Sequence, residues 1–302
     1  MLLFNYLIFP GFLFTATIGL LAGWVDRKVS ARLQWRVGPP WHQNFTDIIK
    51  LLGKENILPR TAGAAFMAAP YLGLIGAVLA SNIILGSVFM LRESFHADLI
   101  AVVYLLIIPA LALIIGASSS GNPLASVGSS REMKLVLAYE LPFILALITV
   151  IIKSSGLINL STIIDYQNLT RSFIFSWSGS LAFIVSIFCM QAKLGLAPFD
   201  ISEAEQEIMG GVLIEYSGLG LALFKLMKAS LLCVMPVLLI VMFMAKDLSL
   251  PLLAVKYIGI LVIIILMKNT NPRLRIDQAL RFFWGPVTLL AAVALVLAFF
   301  GL

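Results

Sequence analysis

Apolar runs about as long as a bilayer is thick recur along almost the whole chain, and that repetition constrains the fold more than any single motif. A hydrocarbon core of about 30 Å is crossed by roughly 20 apolar residues in a helix. Stretches of that length, free of charge or carrying it near an end, fall at 2–24, 63–90, 98–117, 133–152, 173–196, 217–244, 248–267 and 283–302. They are continuously apolar rather than alternating over about ten residues, which argues against barrel strands. With 61% hydrophobic and only 12% charged residues in a chain of 302, there is more apolar side chain than a water-soluble core could hide. The expected fold class is an all-α membrane protein. Eight transmembrane helices form a single polytopic domain over 1–302, with short interfacial amphipathic helices in the cytoplasmic loops. The first stretch lacks a charged leader and a small-residue cleavage site, so it reads as a retained helix rather than a signal peptide.

The formal net charge of +6 is explained by topology and not by nucleic acid. Basic residues gather in alternate loops: Arg27, Lys28, Arg32, Arg36, Lys50, Lys54 and Arg60 in the first, Arg131 and Lys134 in the third, Lys268, Arg273, Arg275 and Arg281 in the seventh. The second, fourth and sixth loops offer only Arg92, Lys153, Arg171 and Lys246. The positive-inside rule then puts the odd loops in the cytoplasm and both termini outside, in a plasma-membrane protein. Cys189 and Cys233, the two cysteines, each lie within a span and form no paired-thiol motif. His42 and His96 fall in loops on opposite sides. No iron–sulfur cluster, zinc site or histidine-based metal site is expected in this chain.

Three loops are not simply polar connectors. In 44–53, Phe45, Ile48, Ile49 and Leu52 recur at spacings of three and four, the stripe of a helix lying in the membrane interface. Residues 271–284 begin with a proline and place Leu274, Ile276, Leu280 and Phe283 over a basic face, predicting a second interfacial helix. The fifth loop holds Asp200, Glu203, Glu205, Glu207 and Glu215, five of the chain's fifteen acids, with no Lys or Arg among them. On a helix, Asp200, Glu203 and Glu207 share one face while Glu205 points away. A solvated acidic loop is the plain alternative. Carboxylates crowded between membrane segments repel one another and lose hydration, however, so a cluster of this kind can load and release protons.

Ionisable residues inside spans cost a few kcal/mol each and are functional candidates by default. Glu140 lies in the fourth span, and Lys225 and Lys228 lie one turn apart in the sixth. The lysines could equally form a structural ion pair with Glu140 or with an acid of a partner. Lys193, Asp98 and Lys256 are nearer helix ends, where a side chain can snorkel to the interface.

Three segments together resemble one family: WVDRKVSARLQWRVGPP…DIIKLLGKE over 24–55, APFDISEAEQEI…IEYSG over 197–218, and NPRLRIDQALRFFW over 271–284. DLIAVVYLL at 98–106 and LAYELP at 137–142 match as well. The family is that of subunit 1 of respiratory complex I, with its relatives in membrane-bound hydrogenases and in the ferredoxin-dependent membrane-bound sulfane sulfur reductase. The likeness covers nearly the whole chain.

The resemblance implies an eight-helix subunit without a cofactor of its own. Its partners would be an iron–sulfur small subunit and a hydrogenase-like large subunit of a peripheral arm, antiporter-like membrane subunits, membrane lipids, and ferredoxin as electron donor. Fe–S clusters and a nickel–iron or related site would sit in those partners. Carried onto this chain, Asp200, Glu203, Glu205, Glu207 and Glu215 form the entrance to a proton path that Glu140 continues, with Asp98, Lys225 and Lys228 as further members. Arg27, Arg36, Arg273, Arg275 and Asp277 would dock the arm, with lipid head groups as the alternative for the arginines.

Departures from the quinone-reducing pattern point to a branch. The first loop runs GPPWHQNFTD after Val37 and lacks the middle of the longer quinone-type loop. Lys228 stands where quinone-reducing relatives tend to carry Glu, and EYSG at 215–218 is hydrogenase-like. Yet Gly210-Gly211-Val212-Leu213 replaces the Glu-Gly-Pro-Leu of hydrogenases. A sulfane-sulfur-reducing complex is the closest fit. The rivals are the chamber subunit of an NADH or F420H2:quinone oxidoreductase, a stand-alone secondary transporter, and a purely structural anchor.

Overall fold

The computed structural model describes residues 2–89 and 98–301, and among these every regular element is helical. In chain order these are α1 (Leu2–Leu7), α2 (Phe12–Leu33), α3 (Gln43–Leu52), α4 (Ala64–Val88), α5 (Asp98–Ser118), α6 (Pro123–Lys153), α7 (Leu160–Leu169), α8 (Trp177–Lys193), α9 (Glu205–Ile208), α10 (Gly218–Phe243), α11 (Leu250–Thr270), α12 (Ile276–Phe282) and α13 (Thr288–Phe299). By length and composition, seven helices among the described residues can cross a membrane, including 4–33, which joins α1 to α2, and 276–299, which joins α12 to α13. Helix α8, of 17 residues, is shorter than the sequence stretch 173–196. Arg92 and His96 lie outside the described residues.

Helix α10 runs through the middle of the bundle, packed on α2, α4, α8 and α11. Helix α4 pairs with α5, and α6 packs on α5, α8 and α13. Lipid tails are as apolar as leucine, so these contacts depend on close packing rather than on expulsion of water. At the α2–α10 crossing, a Cβ on Gly19 would stand 1.9 Å from the Ala229 carbonyl oxygen, so only hydrogen fits there.

Several boundaries differ from the sequence reading, each for a local reason. The stretch 2–24 is not one helix: Pro10 offers no N–H, the chain bends between α1 and α2, and α2 then runs on to Leu33. Arg27, Lys28 and Arg32 therefore stand on a helix rather than in a loop. The fourth span begins ten residues early, because Asn122 caps the Leu124 N–H at 2.8 Å and Pro123 takes the first helical position. Arg131 and Lys134, assigned to a loop, are thus on α6. The expected separate helix over 271–284 is instead the first turns of the last one. Helix α12 passes into α13 through a π-helical segment, Phe283–Val287, that accommodates Pro286, and the Thr288 hydroxyl donates to the Phe283 carbonyl at 2.6 Å. Helix α7 was not foreseen, although Leu160, Ile163, Ile164 and Gln167 form its buried stripe. Gln167 donates to the Val241 and Met242 carbonyls and accepts from the Ala245 N–H, closing the end of α10.

Candidate functional site

The acidic segment is folded back on itself rather than wound into one helix, which corrects the shared-face reading of Asp200, Glu203 and Glu207. Pro198 cannot donate a helical hydrogen bond, residues 200–204 are non-helical, and α9 covers only Glu205–Ile208. Met209, Gly210 and Gly211 all have positive φ, reversing the chain so that the Val212 N–H reaches the Ser202 carbonyl at 3.3 Å. A side chain at Gly211 would collide with that carbonyl, at 2.0 Å from its Cβ. Contacts with the last helix and the residues leading into it hold the segment in place. The Leu274 N–H donates to the Pro198 carbonyl at 3.0 Å, and the Phe199 ring lies 4.9 Å from that of Phe283.

Folding back spreads the carboxylates over different partners. Asp200 pairs with Arg273 at 2.6 Å, and its other oxygen, Oδ1, is buried without a hydrogen-bond partner among the described residues. Glu203 turns inward to Lys228 of α10. Glu207 reaches Arg131 of α6 at 2.6 Å on the surface, while Glu205 is exposed. Glu215 accepts from the Asn122 side chain. Beside it, Tyr216 stacks on Phe66 with centroids 4.2 Å apart and donates to the Phe66 carbonyl at 3.0 Å. Burial pushes the Tyr216 phenol well above its ordinary range, which keeps it a donor.

Deeper in the bundle, Glu140 pairs with Lys193 of α8, not with Lys225 or Lys228. Lys193 does not snorkel. Its side chain is 4% exposed, and its ammonium lies 5.0 Å from the ring centroids of both Tyr139 and Phe143. Glu140 Oε2 is buried with no hydrogen-bond partner among the described residues. Lys225 is exposed.

The sequence reading missed Glu132, which is 6% exposed on α6 and shares a small cavity with Ser202 of the acidic loop. A cavity of about 20 Å³ is lined by Glu132, Tyr139, Lys193, Ser202, Glu203 and Lys228. A readable signal existed: Glu132 precedes Glu140 by eight residues, about 80° round the axis and so within one broad helical stripe. Asp26, also missed, pairs with Lys268 at 2.6 Å across the α2–α11 seam, a contact between residues too far apart in sequence to show a local pattern.

The remaining candidates stand apart. Asp98 begins α5 beside Ile158, whose carbonyl accepts the Leu99 N–H at 3.3 Å. That is beyond the far end of α6, roughly 30 Å from the Arg131 region by helical rise. Lys256 donates to the Met244 and Lys246 carbonyls after α10. Arg27 holds Asn44 at 2.7 Å and Asp47 at 3.6 Å, fastening α3 to α2. Arg36, Arg275 and Asp277 are exposed, with Asp277 in the first turn of α12. A larger cavity, about 260 Å³, opens between Gly19, Gly23, Asn44, Leu196, Glu203 and Lys228.

A multi-pass helical membrane protein with a line of ion pairs running from one loop into its bundle is the class these features define. Residues 6–299 match the family described as NADH dehydrogenase, and the chain belongs to that family. It is 28% identical to the H subunit of NADH-quinone oxidoreductase from Geobacillus kaustophilus (strain HTA426), over 93% of this chain and 87% of that one. It is 31% identical to the protein of the same name in Anoxybacillus flavithermus (strain DSM 21510 / WK1), over 89% and 84% of the two chains. Among solved structures it is similar to a chain of the membrane-bound sulfane sulfur reductase, an archaeal respiratory membrane complex. The TM-score there is 0.86 and the identity 31%, covering 95% of this chain and 96% of the other.

Proposed function

We propose that this chain is the membrane subunit of a complex I-related oxidoreductase of the ferredoxin-dependent, sulfane-sulfur-reducing kind, and that it links redox turnover to H⁺ or Na⁺ translocation. In this reading 1–302 is one domain of the plasma membrane with both termini outside. Helix α8 is the eighth crossing, and α3 and the start of α12 lie at the interface. A peripheral arm with its iron–sulfur and hydrogenase-like subunits docks on Arg27, Arg36, Arg273, Arg275 and Asp277, and antiporter-like subunits flank the bundle.

The observation that carries the reading is the inward succession of ion pairs: Asp200–Arg273, Glu203–Lys228 and Glu140–Lys193. Exposure of the basic partner falls along the series, from 43% at Arg273 to 27% at Lys228 and 4% at Lys193, and a charge as buried as the last persists only when paired. A change of charge in an arm above the loop shifts the balance within each pair, and protons follow. The test is Glu140→Gln in the whole complex, reconstituted in liposomes. Ion transport per electron is expected to fall while electron transfer and assembly persist. Unchanged transport would leave the subunit a structural anchor.

The 260 Å³ cavity between α2, α3 and α10 favours a second reading, a quinone-reducing complex like the relatives' names describe. Quinone retained in the purified complex would establish it over the first.

A further inference from the structure

The pairs described above leave a gap. Glu203 sits at the loop and Glu140 in the bundle. Along α6, the eight residues from Glu132 to Glu140 span about 12 Å, beyond a single proton hop. The 20 Å³ cavity lies in that gap, and Glu140 does not line it, but Lys193 does. A volume of about one probe sphere holds one water where two or more polar groups can bind it. Here the wall offers Glu132, Lys193, Ser202, Glu203 and Lys228, against an apolar remainder from Leu106, Leu113 and Met227.

We propose that Glu132 is the exchange group of the path, passing protons between the Glu203–Lys228 pair and the Lys193–Glu140 pair through one water held in this cavity. The inference rests on the proton-path reading above. Three things mark Glu132 for the role: it is buried, it stands on the same cavity wall as Ser202 and Glu203 of the acidic loop, and it shares the cavity with both lysines. In the step, the Lys193 ammonium gives a proton to the Glu140 carboxylate within their pair. The water takes a proton from protonated Glu132 and delivers one to the Lys193 amine. One proton has then moved from Glu132 to Glu140; water and Lys193 end as they began, and the net charge of the site is unchanged. Ser202 lines the cavity beside Glu132, so movement of the loop changes the surroundings of that carboxyl.

The test uses the intact complex in liposomes, with electron transfer and ion transport measured together for Glu132→Gln and Glu140→Gln. Loss of a positioned proton carrier is worth at least about tenfold, and both variants are expected to lower ions moved per electron by that factor with electron transfer retained. Normal transport in Glu132→Gln with loss in Glu140→Gln would overturn this inference and leave the path standing. Normal transport in both would overturn the path. Should Glu132→Gln fail to assemble, the redox-induced infrared difference spectrum of the native complex and of Ser202→Ala decides. A carboxyl band that shifts in Ser202→Ala supports the role, and one indifferent to that hydroxyl overturns it.

Discussion

Helices α10 and α11 are almost indistinguishable in mean hydropathy, 2.4 against 2.6, yet 89% of the apolar stretch of α10 is buried in the protein and only 22% of that of α11. Each also carries two lysines. On α10, Lys228 turns inward to Glu203. On α11, Lys256 and Lys268 bind carbonyls and Asp26 near the helix ends. Lipid and protein interior are equally apolar solvents, so hydropathy reports that a helix leaves water and not what it meets afterwards. What separates the two is packing: neighbours cover most of α10, whereas most of α11 is left to lipid or to another subunit.

The largest expected effect concerns lysines of the two settings. Lys193→Met, in the shell around α10, strands the Glu140 charge and should cost about 3–5 kcal/mol. Lys268→Met on α11 leaves Asp26 the Ser30 hydroxyl, 3.4 Å away, as a remaining partner, so about 1–3 kcal/mol is expected. Thermal unfolding of the detergent-purified complex ranks the two. Equal losses would mean that burial around α10 does not govern the energetics.

Truncating apolar side chains sharpens the contrast. Leu239→Ala, at a fully buried α10 position, opens a cavity expected to cost about 2–5 kcal/mol. Ile258→Ala, at a 56% exposed position of α11, should stay within about 0.5 kcal/mol. A large loss at Ile258 would show that another subunit covers that face in the complex.

The smallest effect comes from glycines. Gly19→Ala forces α2 away from the Ala229 carbonyl of α10 and should cost about 1–3 kcal/mol. On α11, a Cβ at Gly259 meets nothing, and Gly259→Ala should stabilise by about 0.5–1 kcal/mol through the chain's lower unfolded-state freedom. The same unfolding measurement reads both, and a destabilised Gly259→Ala would reveal a neighbour at that face.

The sequence was most legible where one physical rule acts along the chain. Membrane thickness dictates span length, so α4, α5, α10 and α11 lie within a few residues of their apolar stretches. Boundaries failed where a cap or a proline decides them: at Asn122, which starts α6 early, and at Pro10 and Pro286, which bend or widen a helix. In the site, Glu140 and Glu203 were readable because a charge within or beside an apolar run is conspicuous. Lys193 was taken for a snorkelling end residue, since nothing local reveals that Tyr139, Phe143 and Glu140 of another helix enclose it. Glu132 sat between Arg131 and Lys134 and looked like part of a polar loop.

By itself the sequence determined that the chain leaves water as a set of helices, how long each must be, and which residues carry charge into the apolar region. Those properties follow from the cost of burying polar groups, which each segment meets alone. Which charge meets which was decided only by the tertiary structure, through the reversal at Met209–Gly211 and the packing of α6, α8 and α10. Pairing energies depend on distances between residues remote in the chain, and no local pattern encodes them.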